Sequence, residues 1–279
     1  TASGMDASLS DAWMYMGMAL YQLQRFEESI HALDRSLAST PSSVEALMYR
    51  GNSLVKTSRL TEADETFDRV LTLNPLLVDA WMQKGNALYD LGRKQDALNA
   101  FTKALEVDPN RADGWERKGQ ALYDVGRLQD ALGSCNKALD LNPSLADVWM
   151  RRGDILNELG KTNDAINSYQ KSLNINPDQV SGWIRKGKSF YDLGRYQDAI
   201  DALDNAIALD QRSIEAFYQK GLALEKINRG NEAITVFDLL LEIEPEYADA
   251  HLHRGIVLAQ AGRNKDAISA FDRALLLNP

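Results

Sequence analysis

The chain has almost no cysteine: a single thiol, Cys135, in 279 residues. One thiol excludes an internal disulfide and any metal site built from several thiolates. Histidine is nearly as scarce, and of His31, His251 and His253 the last two stand two residues apart on a helical stretch, so they diverge rather than converge on an ion. No run approaches the roughly 18 apolar residues that a membrane span needs, and residues 1–9 carry neither the basic nor the apolar part of a signal peptide. The expectation is a cytoplasmic protein without membrane contact, or one whose targeting segment is not part of this sequence. Positive charge is also short, because 31 Lys and Arg stand against 40 Asp and Glu for a net charge of −9. A broad surface able to neutralise many phosphates is not to be expected, which argues against nucleic acid as the main partner. Glycine-rich phosphate loops are missing as well. No catalytic residue, no cofactor and no metal are expected, and the enzyme reading has nothing to stand on.

What the chain does have is repetition. Gly17, Gly51, Gly85, Gly119, Gly153, Gly187, Gly221 and Gly255 recur at a constant spacing of 34 residues. All five tryptophans, Trp13, Trp81, Trp115, Trp149 and Trp183, lie four residues before one of these glycines, and Leu47, Phe217 and His251 fill the other three places. The seven prolines, from Pro41 to Pro279, lie twenty-four residues after one, with Gln211 the exception. Eight units follow, at 10–43, 44–77, 78–111, 112–145, 146–179, 180–213, 214–247 and 248–279. They are read as one domain, 10–279, behind an extension, 1–9, expected to be partly disordered.

With the glycine numbered position 8, apolar or small residues occupy positions 4, 8 and 11, then 20, 24, 27 and 28, as in Trp81, Gly85 and Leu88 followed by Ala97, Phe101, Ala104 and Leu105. Steps of three and four give each of two helices one buried stripe. Gly92, Gly126, Gly160, Gly194 and Gly262 at position 15 supply a left-handed helix end, and proline at position 32 stops the second helix. A glycine within a helix costs about 1 kcal/mol relative to alanine, so position 8 must permit a close approach. The expected neighbour is the small residue at position 20, Gly85 facing Ala97, with the tryptophan at position 4 filling the space between helices. Cys135 stands at position 24, where Phe67, Phe101 and Phe271 stand elsewhere, and is expected to be buried and inert.

The composite pattern A-W-x-x-K-G-x-x-L-Y-D-x-G-R-x-x-D-A, closed by (N/D)-P, resembles the tetratricopeptide repeat over residues 10–279. That resemblance implies an all-α solenoid: a right-handed superhelix of 16 antiparallel helices, the first helix of each pair lining a concave groove and the second forming the convex side. It also implies a scaffold that binds a segment of a partner protein in the groove. The family's carboxylate clamp for chaperone tails does not carry over. Asn52, Asn86 and Arg117 match it, but position 5 holds Met48, Met82 and Glu116 where the clamp's first position 5 is Lys, and position 2 holds acids throughout the clamp's three units. The asparagine ladder of the family's glycosyltransferases is absent too.

A residue that recurs in register serves the scaffold, whereas one that varies at a surface position is free to serve a ligand. Position 16 is basic and position 19 acidic in all eight units, as in Arg25 and Glu28, and each complements a helix macrodipole. Position 7 departs from the family's frequent leucine with Arg50, Lys84, Lys118, Arg152, Lys186, Lys220 and Arg254, read as stems that cover the helix pair with heads in water. Variation concentrates at positions 2, 5, 6, 9, 12 and 13 of the first helix, which the family uses as its groove. Units one to three place Met14, Tyr15, Met18, Tyr21, Met48, Tyr49, Met82 and Tyr89 there, with Asn52 and Asn86, an adaptable surface suited to apolar anchoring. The alternative is that the methionines pack between repeats. Units four to six place Arg117, Arg151 and Arg185 at position 6, with Tyr123, Lys188 and Tyr191 nearby. Their guanidinium groups suit acidic groups or a C-terminal carboxylate of a partner, or else pair with neighbouring acids such as Asp154. Two further readings stand beside the scaffold: a targeting or regulatory arm of a larger enzyme, and a homo-oligomer formed through the last repeat, where Ile268, Leu275 and Leu276 would be left bare.

Overall fold

The computed structural model describes residues 2–278; Pro279 lies outside them. Among the described residues there are sixteen α-helices and no strand. The chain divides into two compact units, Thr1–Pro143 and Ser144–Pro279. The first unit contains α1 (Ala2–Gln22), α2 (Phe26–Ser39), α3 (Val44–Lys56), α4 (Leu60–Leu73), α5 (Val78–Asp90), α6 (Lys94–Val107), α7 (Ala112–Asp124) and α8 (Leu128–Leu141). The second contains α9 (Ala146–Glu158), α10 (Thr162–Ile175), α11 (Val180–Asp192), α12 (Tyr196–Leu209), α13 (Ile214–Lys226), α14 (Gly230–Ile243), α15 (Ala248–Gln260) and α16 (Asn264–Leu277). α1 begins at Ala2, so residues 2–9 form its first part rather than an extension outside it. They contain no proline, and lengthening a helix that already exists needs no new nucleus.

Each unit is a linear stack in which a helix packs on the next one in sequence. Consecutive first helices also touch, α1 with α3, α3 with α5 and α5 with α7 in one unit, α11 with α13 and α13 with α15 in the other. The first helices therefore form the more closely packed, inner layer of each stack.

Position 15 takes the left-handed conformation in every repeat that has glycine there, with φ of 73–77°. Gln24, Ser58 and Asn228 hold the same place in the other three repeats at φ of 58–60°, so the turn imposes this backbone even where a side chain must tolerate it. The closure is of Schellman type: Gly92 N–H donates to the carbonyl of Tyr89 and Arg93 N–H to that of Leu88, each at 2.9 Å. Gln211 replaces proline without loss of the turn between helix pairs, because the Asp210 carboxylate accepts from the backbone N–H of Arg212 at 3.0 Å, as Asp108 does from Asn110.

The glycine at position 8 is explained by a different neighbour from the one expected. A Cβ at Gly85 would lie 2.4 Å from the ring of Phe101, at Gly153 2.4 Å from the ring of Tyr169, and at Gly221 2.5 Å from that of Phe237. Glycine thus makes room for the large residue at position 24, while the small residue at position 20 is merely buried beside it. Repeat four is the exception, since a Cβ at Gly119 would stand 3.3 Å from the Cys135 sulfur. Cys135 itself is fully buried.

Tryptophan at position 4 also does more than fill space. The indole N–H groups of Trp81, Trp115 and Trp183 donate to the carbonyls of Pro75, Pro109 and Pro177 at 2.8–2.9 Å. His251 replaces tryptophan and keeps the contact, its Nε2 lying 3.0 Å from the Pro245 oxygen. In these four repeats the side chain ties the first helix to the turn that leads into it.

Candidate functional site

The scaffold charges separate out first. At positions 16 and 19, Arg25 pairs with Glu28, Arg59 with Glu62, Arg127 with Asp130 and Arg229 with Glu232 at 2.5–2.7 Å. These guanidinium hydrogen bonds pull the carboxyl groups of Glu28, Glu62 and Glu232 below their ordinary range. The base at position 7 does not simply reach water. In four repeats it pairs with an acid at position 25 of the preceding repeat: Arg50 with Asp34 at 2.6 Å, Lys84 with Asp68, and Lys220 with Asp204 and Arg254 with Asp238, each at 2.5 Å. This tie links neighbouring repeats across sixteen residues of chain, so no pattern within one helix reveals it.

With those charges assigned, the face formed by positions 2, 5, 6, 9, 12 and 13 remains. In the first unit it differs from the expected methionine surface. Met14 and Met82 are buried, and Met48 and Met18 are partly buried against the clusters around Leu47 and Leu54. Position 5 borders the buried stripe, and the chain entering the next repeat covers it: the hydroxyl of Ser43, which caps α3, lies 3.6 Å from the Met14 sulfur, and in the second unit the Met150 methyl abuts Gly182. Met14 and Met82 therefore pack between repeats rather than on the groove surface, while Met18 and Met48 keep part of their surface exposed. Tyr15 is 61% exposed. Tyr21 stacks edge-on against both Phe26 and Tyr49, with ring centroids 5.5 and 5.6 Å apart. Tyr89 donates to Asp124 and accepts from the Gln120 amide at 3.0 Å. Asn52, Asn86 and Tyr123 are partly buried on the same face, and the Asn52 Oδ1 is buried without a hydrogen-bond partner. Arg117 is exposed.

In the second unit the expected cationic groups are mostly taken. Arg185 pairs with Asp154, which also accepts from the Tyr169 hydroxyl at 2.9 Å, and Lys188 pairs with Glu215 at 3.1 Å. Burial holds the Asp154 carboxyl above its ordinary range despite Arg185. Arg151 differs: its Nη1 is buried and has no hydrogen-bond partner. Tyr191 meets Tyr196 edge-on at 5.2 Å, and burial raises its phenol above the ordinary range. Sequence reasoning passed over a group further along this face. Tyr218 packs against Tyr247 and His253, and His253 Nδ1 lies 3.0 Å from Glu225 Oε2. Burial, then Asp249, Tyr247, Tyr191 and Glu225, pushes the Tyr218 phenol up to about 12, so it stays a neutral donor at neutral pH. The groove positions of repeats seven and eight were the available signal for Tyr218, Glu225 and His253.

The face thus offers phenols, amides and guanidinium groups for contact. Among the described residues no group of three or more His, Cys, Asp or Glu is placed to hold a metal ion. In the last repeat Ile268, Leu275 and Leu276 are 61–71% exposed. No helix among the described residues is long and apolar enough to cross a membrane.

Comparison with known proteins places this geometry. Tetratricopeptide repeat models match residues 16–77, 82–146, 146–179 and 218–279, and a TPR repeat model matches residues 187–228. No curated protein matches the chain. Among solved structures, YrrB, described as a TPR protein with an unusual peptide-binding site, is 26% identical with a TM-score of 0.59, covering 65% of this chain and 94% of its own. MamA is 25% identical with a TM-score of 0.56, covering 57% of this chain and 93% of its own. A tetratricopeptide repeat protein from Parabacteroides merdae covers 85% of this chain and 94% of its own with a TM-score of 0.62; at 19% identity it supports the fold alone. Eight glycine-centred helix pairs, the tryptophan–proline tie and these matches lead to one conclusion: the chain belongs to the tetratricopeptide repeat family and is a protein-interaction scaffold.

Proposed function

We propose that the chain is a non-catalytic scaffold in which the first-helix face of each unit takes an extended segment of a partner protein. In the first unit, Tyr15, Tyr21, Tyr49, Asn52, Asn86 and Tyr89 contact the segment through rings and hydrogen bonds. Arg117 there, and Arg151 in the second unit, receive acidic side chains or a C-terminal carboxylate of the partner. The observation that carries this reading is the pair of buried, unpartnered polar atoms at groove positions, Asn52 Oδ1 and Arg151 Nη1. An unsatisfied buried group costs about 1–3 kcal/mol. A partner's backbone N–H offsets that cost at Asn52, and a carboxylate does so at Arg151. The peptide-binding site in the description of YrrB supports the same class of ligand.

Arg185 and Lys188 are spent on Asp154 and Glu215, which leaves Arg117 and Arg151 as the groups to test. Proteins captured on the intact chain and on the Arg117→Glu, Arg151→Glu variant, compared by quantitative mass spectrometry, should include a partner lost from the variant. Its affinity should fall at least about tenfold, roughly 1.4 kcal/mol, with the melting temperature unchanged. Equal affinity for both forms overturns the reading.

A further inference from the structure

The tie between positions 7 and 25 fails at one junction of the first unit. Asp34, Asp68, Asp204 and Asp238 each meet a base of the following repeat, but the residue that should meet Lys118 is Thr102. Lys118 has no carboxylate within ion-pair range among the described residues, and its ammonium stands 5.4 Å from the centroid of the Trp115 ring. Burial, and next the charge of Arg127, push its pKa below the ordinary lysine value.

The same junction is hollow. Repeat four carries Gly133 on α8, where every other repeat has a larger residue, and a Cβ at Gly133 would meet nothing within 4 Å. The result is an open cavity of about 470 Å³ between α6, α7 and α8, within the range of small-ligand sites. Leu98 and Leu122, both buried, lie beneath it, and Trp115 forms a flat wall. Its charged lining consists of Lys118, Arg127, Lys137 and Asp130, and Asp130 is already held by Arg127 at 2.6 Å. None of the groove positions contributes to it.

We propose that this cavity binds a small carboxylate with a flat apolar body, the carboxylate on Lys118 and the body against Trp115. The scaffold itself suggests the missing group, because at four other junctions a carboxylate at position 25 sits on the base at position 7, and at Lys186 the Gln170 amide oxygen takes that place. An ammonium half out of water without its counter-charge favours a ligand that supplies one. A flat body fills the space beside the indole that acetate would leave empty.

Titration of the ¹⁵N-labelled chain with benzoate, followed at the Trp115 indole signal assigned through Trp115→Phe, tests this. Benzoate should give a saturable shift with a dissociation constant on the order of 1 mM, and acetate should bind at least about tenfold more weakly. Thr102→Asp restores the internal pair and should abolish the shift without lowering the melting temperature. Gly133→Leu fills the cavity and should abolish it too. A benzoate shift that survives Thr102→Asp, no saturable shift at all, or equal affinity for acetate and benzoate overturns the proposal.

Discussion

At the scale of single residues, the repeat provides its own controls. Gly85 and Gly119 occupy the same position, yet an added methyl would press into the Phe101 ring at one and stop 3.3 Å from the Cys135 sulfur at the other. Gly85→Ala should lose about 1–3 kcal/mol by overpacking. Gly119→Ala should be neutral or gain up to about 1 kcal/mol from helix propensity. Urea unfolding of the two variants checks the contrast, and equal losses would refute the explanation of position 8 by position 24. The glycine spacing was plain in the sequence, but its cause was not, because periodicity assigns a residue to a face without saying which side chain across the gap fills it. Position 5 shows the same limit. Met14 and Met82 lie one step from the buried stripe, and only the neighbouring repeat decides that they belong to the interior. Arg117 and Arg185 share a position in sequence, and only Asp154 separates an exposed guanidinium from a paired one.

At the scale of the helix pair, charge closes the turn. Recurrence alone marked positions 16 and 19 as scaffold, and the macrodipole argument was incomplete because the two residues bond to each other. Glu28, Glu62 and Glu232 therefore have carboxyl groups whose folded values lie below the ordinary one of 4.5. A depressed acid binds fewer protons folded than unfolded, so its contribution is complete above the ordinary value and is lost as pH falls through the folded one. These pairs are exposed, and each contributes little alone. The contribution of these three pairs to the melting temperature should be flat from neutral pH down to the ordinary carboxylate value and fall below it. The triple variant Glu28→Gln, Glu62→Gln, Glu232→Gln should show a smaller fall over that acid range, and a parallel pH profile would remove these pairs as a source of acid sensitivity. High salt should narrow the difference between the two proteins, since solvent screens exposed pairs.

At the scale of the whole molecule, the organisation was the most legible feature, since an unbroken 34-residue period can only be satisfied by stacking like units. The ties between repeats were invisible, because they join residues sixteen apart on helices of different pairs, as Arg50 joins Asp34 and Lys84 joins Asp68. In a linear stack every contact is with a neighbour, so stability is a sum of repeat and interface contributions rather than the property of one shared core. A local insult should then stay local. In the first unit, Gly85→Ala strains the contact between α5 and α6. Hydrogen exchange should rise most in those two helices, next in α4 and α7, which pack directly on them, and least in α1 and α2. Peptide-resolved exchange by mass spectrometry reads this order directly. An equal rise across α1 to α8 would mean that the unit opens as a single block, and nearest-neighbour ties such as Lys84 with Asp68 would then be too strong to let any one repeat open alone.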